Sequence, residues 1–171
     1  METDTAPATH SWYALRTKSK FEKASAVSLA NKGYQAYLPC YRQRRRWTDR
    51  VTEIEFPLFP GYVFCRFDVM KRLPILTTPG IVSVVGIGKL PVAIPDAEIF
   101  AVQTILKSEL YAGPWPYIRE GQRIRIEKGP LIGLEGVVVN KKKDEWRIVV
   151  SVNLLQRSVA AEIDRDWVRG F

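Results

Sequence analysis

Arg42-Gln43-Arg44-Arg45-Arg46-Trp47-Thr48-Asp49-Arg50 is the densest chemical signal in the chain, with five arginines in nine residues and one tryptophan among them. Guanidinium groups at this density suit phosphate oxygens, and an indole between them suits stacking on an unpaired base. The plainer reading is a solvated loop whose charge serves solubility. Density combined with the aromatic favours a nucleic acid. A second set is aromatic: in Pro57-Leu58-Phe59-Pro60-Gly61-Tyr62-Val63-Phe64, prolines and a glycine bend the chain into an aromatic strand. These rings either form a surface for a partner or fill the core of a sheet, and strand alternation puts Tyr62 and Phe64 on one face.

No group stands ready for catalysis, which needs an acid, base or nucleophile held in a pocket. His10 is the only histidine and lies in the N-terminal tail. No Ser or Cys occupies a nucleophile-elbow context, and no glycine-rich phosphate loop follows a strand. Asp164 and Asp166 read as rim charges. Cys40 and Cys65 are too few for a disulfide framework, and with one histidine they assemble no zinc site. Both sit in apolar, strand-like runs and read as buried free thiols. The expectation is a protein that is not an enzyme and holds neither metal nor cofactor.

The elements that must position these residues follow from periodicity. Ser11–Thr17 reads as a strand, and Lys20–Lys32 as a helix with Phe21, Ala24, Val27 and Leu29 on its apolar face and Gly33 as its C-cap. Residues 35–41, 51–56, 62–67 and 81–85 read as strands, with the arginine run in the loop between the second and third strands of the chain. Residues 70–76 read as a short helix interrupted by Pro74. Asp96–Leu110 reads as a helix with Ile99, Val102 and Leu106 on one stripe. Tyr111–Tyr117, with two prolines and a glycine, reads as a stiff linker. Beyond it lies Gly121–Val139: Arg123 and Arg125 alternate with Ile124 and Ile126, Gly129-Pro130 breaks the strand, and Val137–Val139 opens another. This is how a small curled barrel begins, and Trp146–Leu155 and Ser158–Ile163 extend it. Gly129, Pro130, Gly133 and Gly136 oppose a helical form of this segment.

The expected fold is therefore α+β: an antiparallel sheet domain with flanking helices, followed by a small all-β, SH3-like barrel. Residues 1–10 read as a disordered tail, 11–110 as the sheet domain, 111–118 as the linker and 119–171 as the barrel. The chain of 171 residues has a net charge of +8, which points to a polyanionic partner. Fifteen of its 26 basic residues precede Ser108. No apolar run reaches membrane-spanning length, and the first eleven residues lack the hydrophobic centre of a signal peptide. A soluble, cytoplasmic monomer is expected.

The strand–glycine loop–strand of residues 121–139 resembles the KOW motif of transcription elongation factors and ribosomal proteins. Joined to Trp12-Tyr13 and to Phe59-Pro60-Gly61-Tyr62, it makes nearly the whole chain resemble the NusG family of elongation factors. The wording Pro57–Pro60 and Thr77-Thr78-Pro79-Gly80-Ile81-Val82 is more similar to specialised paralogues of the RfaH, LoaP and UpxY kind, which act at particular operons and suppress termination.

The resemblance implies that Phe59, Tyr62 and Phe64 dock on the clamp coiled coil of the largest RNA polymerase subunit. It implies that Lys18, Thr78 and the run Arg42, Arg44, Arg45, Arg46 and Trp47 meet the non-template strand, upstream DNA or nascent RNA. It places a partner loop for a small-subunit ribosomal protein or Rho at Leu154, Leu155 and Arg157. There the family's Phe-Gly pair is Leu155-Gln156, which weakens the Rho contact. Lys71-Arg72-Leu73 stands where the RfaH-like members carry His-Thr-Thr, so a second polymerase contact would need other chemistry. Lys141–Lys143 reads as either a polar hairpin tip or an RNA contact. A ribosome-associated RNA-binding protein is the alternative, and it leaves the Phe-Pro-Gly-Tyr aromatics idle.

Overall fold

The computed structural model describes residues 10–117, 121–142 and 145–170. Two compact units emerge: one comprises the chain through Leu38 together with Pro60–Asp96, the other Pro39–Phe59 together with the chain from Ala97 onward.

The first unit is built on β1 (Ser11–Thr17), β2 (Gln35–Tyr37), β5 (Tyr62–Phe67) and β6 (Ile81–Val84), in the antiparallel order β2-β5-β1-β6. Alternation sends Tyr13 and Leu15 of β1, and Val63, Cys65 and Phe67 of β5, to one face. There they pack with Leu29, Ile75 and Ile81, and the rings of Tyr13 and Phe67 lie 4.9 Å apart. On the opposite face Trp12, Ala14 and Phe64 are also buried. A strand buried on both sides has no polar positions to show, which is why β5 is almost continuously apolar. Each large side chain so buried contributes about 2 kcal/mol.

Helix α1 (Glu22–Asn31) lies against this sheet and ends at Gly33, whose φ of +86° is a left-handed cap. Its inward face differs from the expected one. Glu22, Ser25 and Leu29 are buried, whereas Phe21 and Val27 are 43% and 54% exposed. The inward carboxylate and hydroxyl are tolerated because each is hydrogen-bonded to loop backbone, as described below. Helix α2 (Leu73–Leu76) follows Asp68, whose carboxylate accepts from the Met70 N–H and starts a short 3-10 turn. Two short strands, β7 (Gly86–Ile87) and β8 (Leu90–Pro91), form a hairpin that alternation does not reveal. It requires Gly86, because the Leu90 carbonyl oxygen occupies the place of a β-carbon.

In the second unit β3 (Cys40–Trp47) and β4 (Arg50–Pro57) form a two-stranded ribbon, and α3 (Asp96–Lys107) runs into this unit with Ile99, Ala101, Val102 and Ile105 buried. Then come β9 (Ala112–Trp115), β10 (Gln122–Ile126), β11 (Glu135–Lys142), β12 (Glu145–Val152), β13 (Arg157–Ile163) and β14 (Val168–Gly170). They make one antiparallel sheet in the order β14-β10-β11-β12-β13-β9. Ile124, Ile148, Val150, Val159 and Ala161 are buried in it, together with Leu131 and Leu134 from the turn between β10 and β11. The stretch expected to be a linker supplies strand β9, paired with Ser158–Ala161. Its Pro114 has no N–H to donate and is accommodated because β9 is an edge strand. Among the described residues beyond Lys107 there is no α-helix.

Candidate functional site

Three loops meet at one end of the four-stranded sheet of the first unit. The Thr17 N–H donates to the Gly61 carbonyl at 2.8 Å, and the Lys18 N–H to the Gly80 carbonyl at 2.8 Å. Helix α1 holds the same loops with side chains. The Glu22 carboxylate accepts from the Gly61 N–H at 2.9 Å, and the Ser25 hydroxyl donates to the Pro79 carbonyl at 3.0 Å. The Lys32 ammonium donates to the Pro74 carbonyl at 2.9 Å and to the Thr78 hydroxyl at 3.0 Å. Gly80 closes the arrangement: with φ +87°, a β-carbon there would meet the Ser25 Oγ and the Phe21 Cβ. Lys18 is exposed on this cluster. Thr78 is not. It is 2% exposed and its hydroxyl also donates to the Pro74 carbonyl at 2.9 Å, so it braces the loop from within and offers no group to a nucleic acid in this structure.

Of the three aromatic residues, Phe59 and Phe64 are 1% and 0% exposed. Tyr62 is half-buried at the start of β5 and retains surface. Phe64 lies 6.4 Å, ring to ring, from Tyr37 of the neighbouring strand.

The arginine run is itself a strand, not a loop, for the turn is only Thr48-Asp49. Strict pairing from Cys40–Pro57 to Trp47–Arg50 gives the ribbon two distinct faces. Arg42 and Arg44 stand opposite Glu55 and Glu53, with ion pairs of 3.5 and 3.2 Å, and Arg46 follows them across from Val51. On the other face the Arg45 guanidinium sits over the Phe56 ring at 5.6 Å, and Phe56 neighbours Tyr41 at 6.0 Å. Trp47 is 59% exposed directly across from Arg50. Arg50 closes the run, but nothing in the sequence sets it apart from the other arginines. Its signal appears only when the register places it beside the indole.

A family model described as transcription termination factor nusG matches residues 10–103, more than half of the chain. The chain belongs to the NusG family. Proteins named transcription termination/antitermination protein NusG are similar to it over nearly their whole length. That of Borreliella burgdorferi is 26% identical over 176 residues, covering 90% of this chain and 94% of its own. That of Thermus thermophilus is 26% identical over 181 residues with the same coverage, and that of Escherichia coli K12 is 25% identical over 173 residues, covering 90% and 92%. The solved structure of Thermotoga maritima NusG shares the fold, with a TM-score of 0.55 at 19% identity over 94% of this chain and 97% of that one.

Elsewhere in this NusG-family chain, Asn153–Leu155 forms a 3-10 turn capped by Gln156 at φ +49°. Leu155 is buried, Leu154 is half-buried, and Arg157 is exposed. The Glu98 carboxylate of α3 accepts from the Asn153 amide Nδ2 at 2.7 Å and from its backbone N–H at 3.3 Å. Burial raises the Glu98 pKa, and these two bonds partly offset the effect. The side chains of Lys141 and Lys142, and the whole of Lys143, lie outside the described residues. Among the described residues no three His, Cys, Asp or Glu side chains gather to hold a metal, and no helix is long and apolar enough to cross a membrane.

Proposed function

We propose that this protein is a cytoplasmic, monomeric transcription elongation factor that binds RNA polymerase and suppresses pausing and termination, acting as a specialised paralogue at chosen operons. The observation that carries the reading is the family match over residues 10–103, which contains both the loop cluster and the ribbon. Residues 11–110 would form the polymerase-binding module and 119–171 an SH3-like KOW barrel. In this reading Tyr62 touches the clamp coiled coil of the largest subunit, because it alone of the three aromatics keeps surface. Phe59 and Phe64 act by packing. Lys18 and the ribbon meet non-template or upstream DNA or nascent RNA. The loop at Leu154–Arg157 serves a small-subunit ribosomal protein through Arg157 and the exposed edge of Leu154. These contacts perform no chemistry; they bias a conformational equilibrium of the polymerase towards elongation.

The test is binding of the full chain to core RNA polymerase. Wild type is expected to bind, and Tyr62→Ala to weaken binding by roughly 30-fold, as loss of an interface hot spot does. A wild-type chain that does not bind overturns the proposal. Binding that Tyr62→Ala leaves intact removes Tyr62 from the interface.

A further inference from the structure

The β3–β4 ribbon sorts its charge by face. On one face Arg42 and Arg44 are matched by Glu55 and Glu53 in direct ion pairs, and only Arg46, near the turn, has no carboxylate across from it. The paired residues line a cleft of about 1020 Å³ together with Lys107 and Glu109, so three cations there meet three carboxylates. A phosphate approaching that cleft finds little net field. The opposite face carries Gln43, Arg45 and Trp47 on β3 against Ile54, Thr52 and Arg50 on β4. It holds two guanidiniums and no carboxylate, and its exposed indole lies between them: Arg50 directly across, Arg45 two residues back.

We infer that this acid-free face binds an unpaired stretch of nucleic acid, one base stacked on Trp47 and the flanking phosphates held by Arg45 and Arg50, while Arg42 and Arg44 take no part. The inference rests on the reading that the ribbon meets nucleic acid, and it assigns the face and the form of the ligand. An unpaired strand is favoured because an indole gains from stacking only where a base presents its flat face, which a duplex hides within its own stack. Charge alone would not need Trp47, and it would use Arg42 and Arg44 equally.

The experiment measures anisotropy of a fluorescent mixed-sequence single strand, and of the matching duplex, with the full chain at several salt concentrations. Wild type binds the single strand more tightly than the duplex. Trp47→Ala weakens single-strand binding on the order of tenfold and Trp47→Phe restores most of it, as expected for base–aromatic stacking. Arg45→Gln with Arg50→Gln flattens the salt dependence by about 0.7 per lost phosphate contact. Arg42→Gln with Arg44→Gln changes affinity less than about threefold, because their charges are already matched. Tighter duplex binding, or a loss from the Arg42 and Arg44 pair equal to that from Arg45 and Arg50, overturns the inference while leaving a nucleic-acid ribbon in place. Absence of binding to either probe overturns the underlying reading as well. Circular dichroism of each variant separates lost contact from lost fold.

Discussion

The ribbon and the loop cluster are both candidate contact surfaces, yet they are held in shape by opposite means. The ribbon is self-supporting: its ion pairs join residues 9 and 13 positions apart, and every strand residue has a partner directly across. The loop cluster has no such local support. Gly61, Thr78, Pro79 and Gly80 are held by Glu22, Ser25, Lys32 and the end of β1, across 39 to 54 residues of sequence for the side-chain bonds to Gly61 and Pro79. A ribbon stabilised by exposed pairs tolerates exchange of its side chains and so is free to vary its ligand. A cluster held by single, part-buried hydrogen bonds does not tolerate such exchange, and it keeps its shape only while α1 keeps its polar inward face.

The largest effect is expected at Gly80. Alanine there is forced into a left-handed conformation costing about 1–2 kcal/mol, and its methyl group runs into Ser25 and Phe21 for a further ~1–3 kcal/mol. The unfolding temperature should fall by about 4–20 °C in a chain of this size. Gly61→Ala shares the strain, at φ +84°, but meets nothing within 4 Å, so it should lose only the smaller part. Equal melting temperatures for the two variants would show that α1 does not press on the cluster. Glu22→Ala comes next. It leaves the Gly61 N–H without its carboxylate and should cost about 1.5–3 kcal/mol in urea unfolding, with Glu22→Gln recovering much of the loss.

The two thiols report separately on the ribbon and on the sheet that carries the loop cluster. Burial pushes the Cys65 pKa up from 9.0 to about 12. The folded state thus holds this proton to higher pH than the unfolded chain does. The group's contribution to stability is complete below pH 9 and is lost as pH rises from there through about 12. At pH 8 a thiol reagent should label the half-exposed Cys40 at the root of the ribbon and reach Cys65 only on unfolding. Rapid labelling of Cys65 in the native protein would mean that the sheet opens more readily than its packing allows.

Much of the first unit was legible because its signals are local: short apolar and aromatic runs in β1 and β5, and a glycine closing α1. The face of α1 was not. Glu22, Ser25 and Lys32 look like a solvated stripe until loops from residues 60–80 fold onto them, and nothing near Phe21 or Val27 in sequence says that those residues stay outside. The arginine run read as a loop because charge obscured its alternation, and the carboxylates that make sense of it belong to another strand. Strand β9 read as a linker because Pro114 and Gly113 weaken strand propensity, whereas its place at the sheet edge depends on β13. For the contact residues, the aromatics were legible as a group, but which of them keeps surface depends on packing from both sides of β5. Thr78 shows the same limit, since its partner Lys32 lies 46 residues away.

The smallest effect on stability should carry the sharpest comparison. Glu53→Gln with Glu55→Gln breaks two exposed ion pairs, and such pairs contribute about 0–1 kcal/mol each, so the fold should scarcely change. At the loop cluster the single carboxylate of Glu22 matters for shape; on the ribbon the carboxylates matter for charge. Removing them leaves Arg42 and Arg44 unmatched and turns the nearly neutral face into a second cationic one. Single-strand affinity should then rise severalfold at low salt, with a steeper salt dependence as the two freed guanidiniums reach phosphates. Unchanged affinity and slope would mean that Arg42 and Arg44 were already bound to phosphate despite their carboxylates, and the distinction between the two faces would fail.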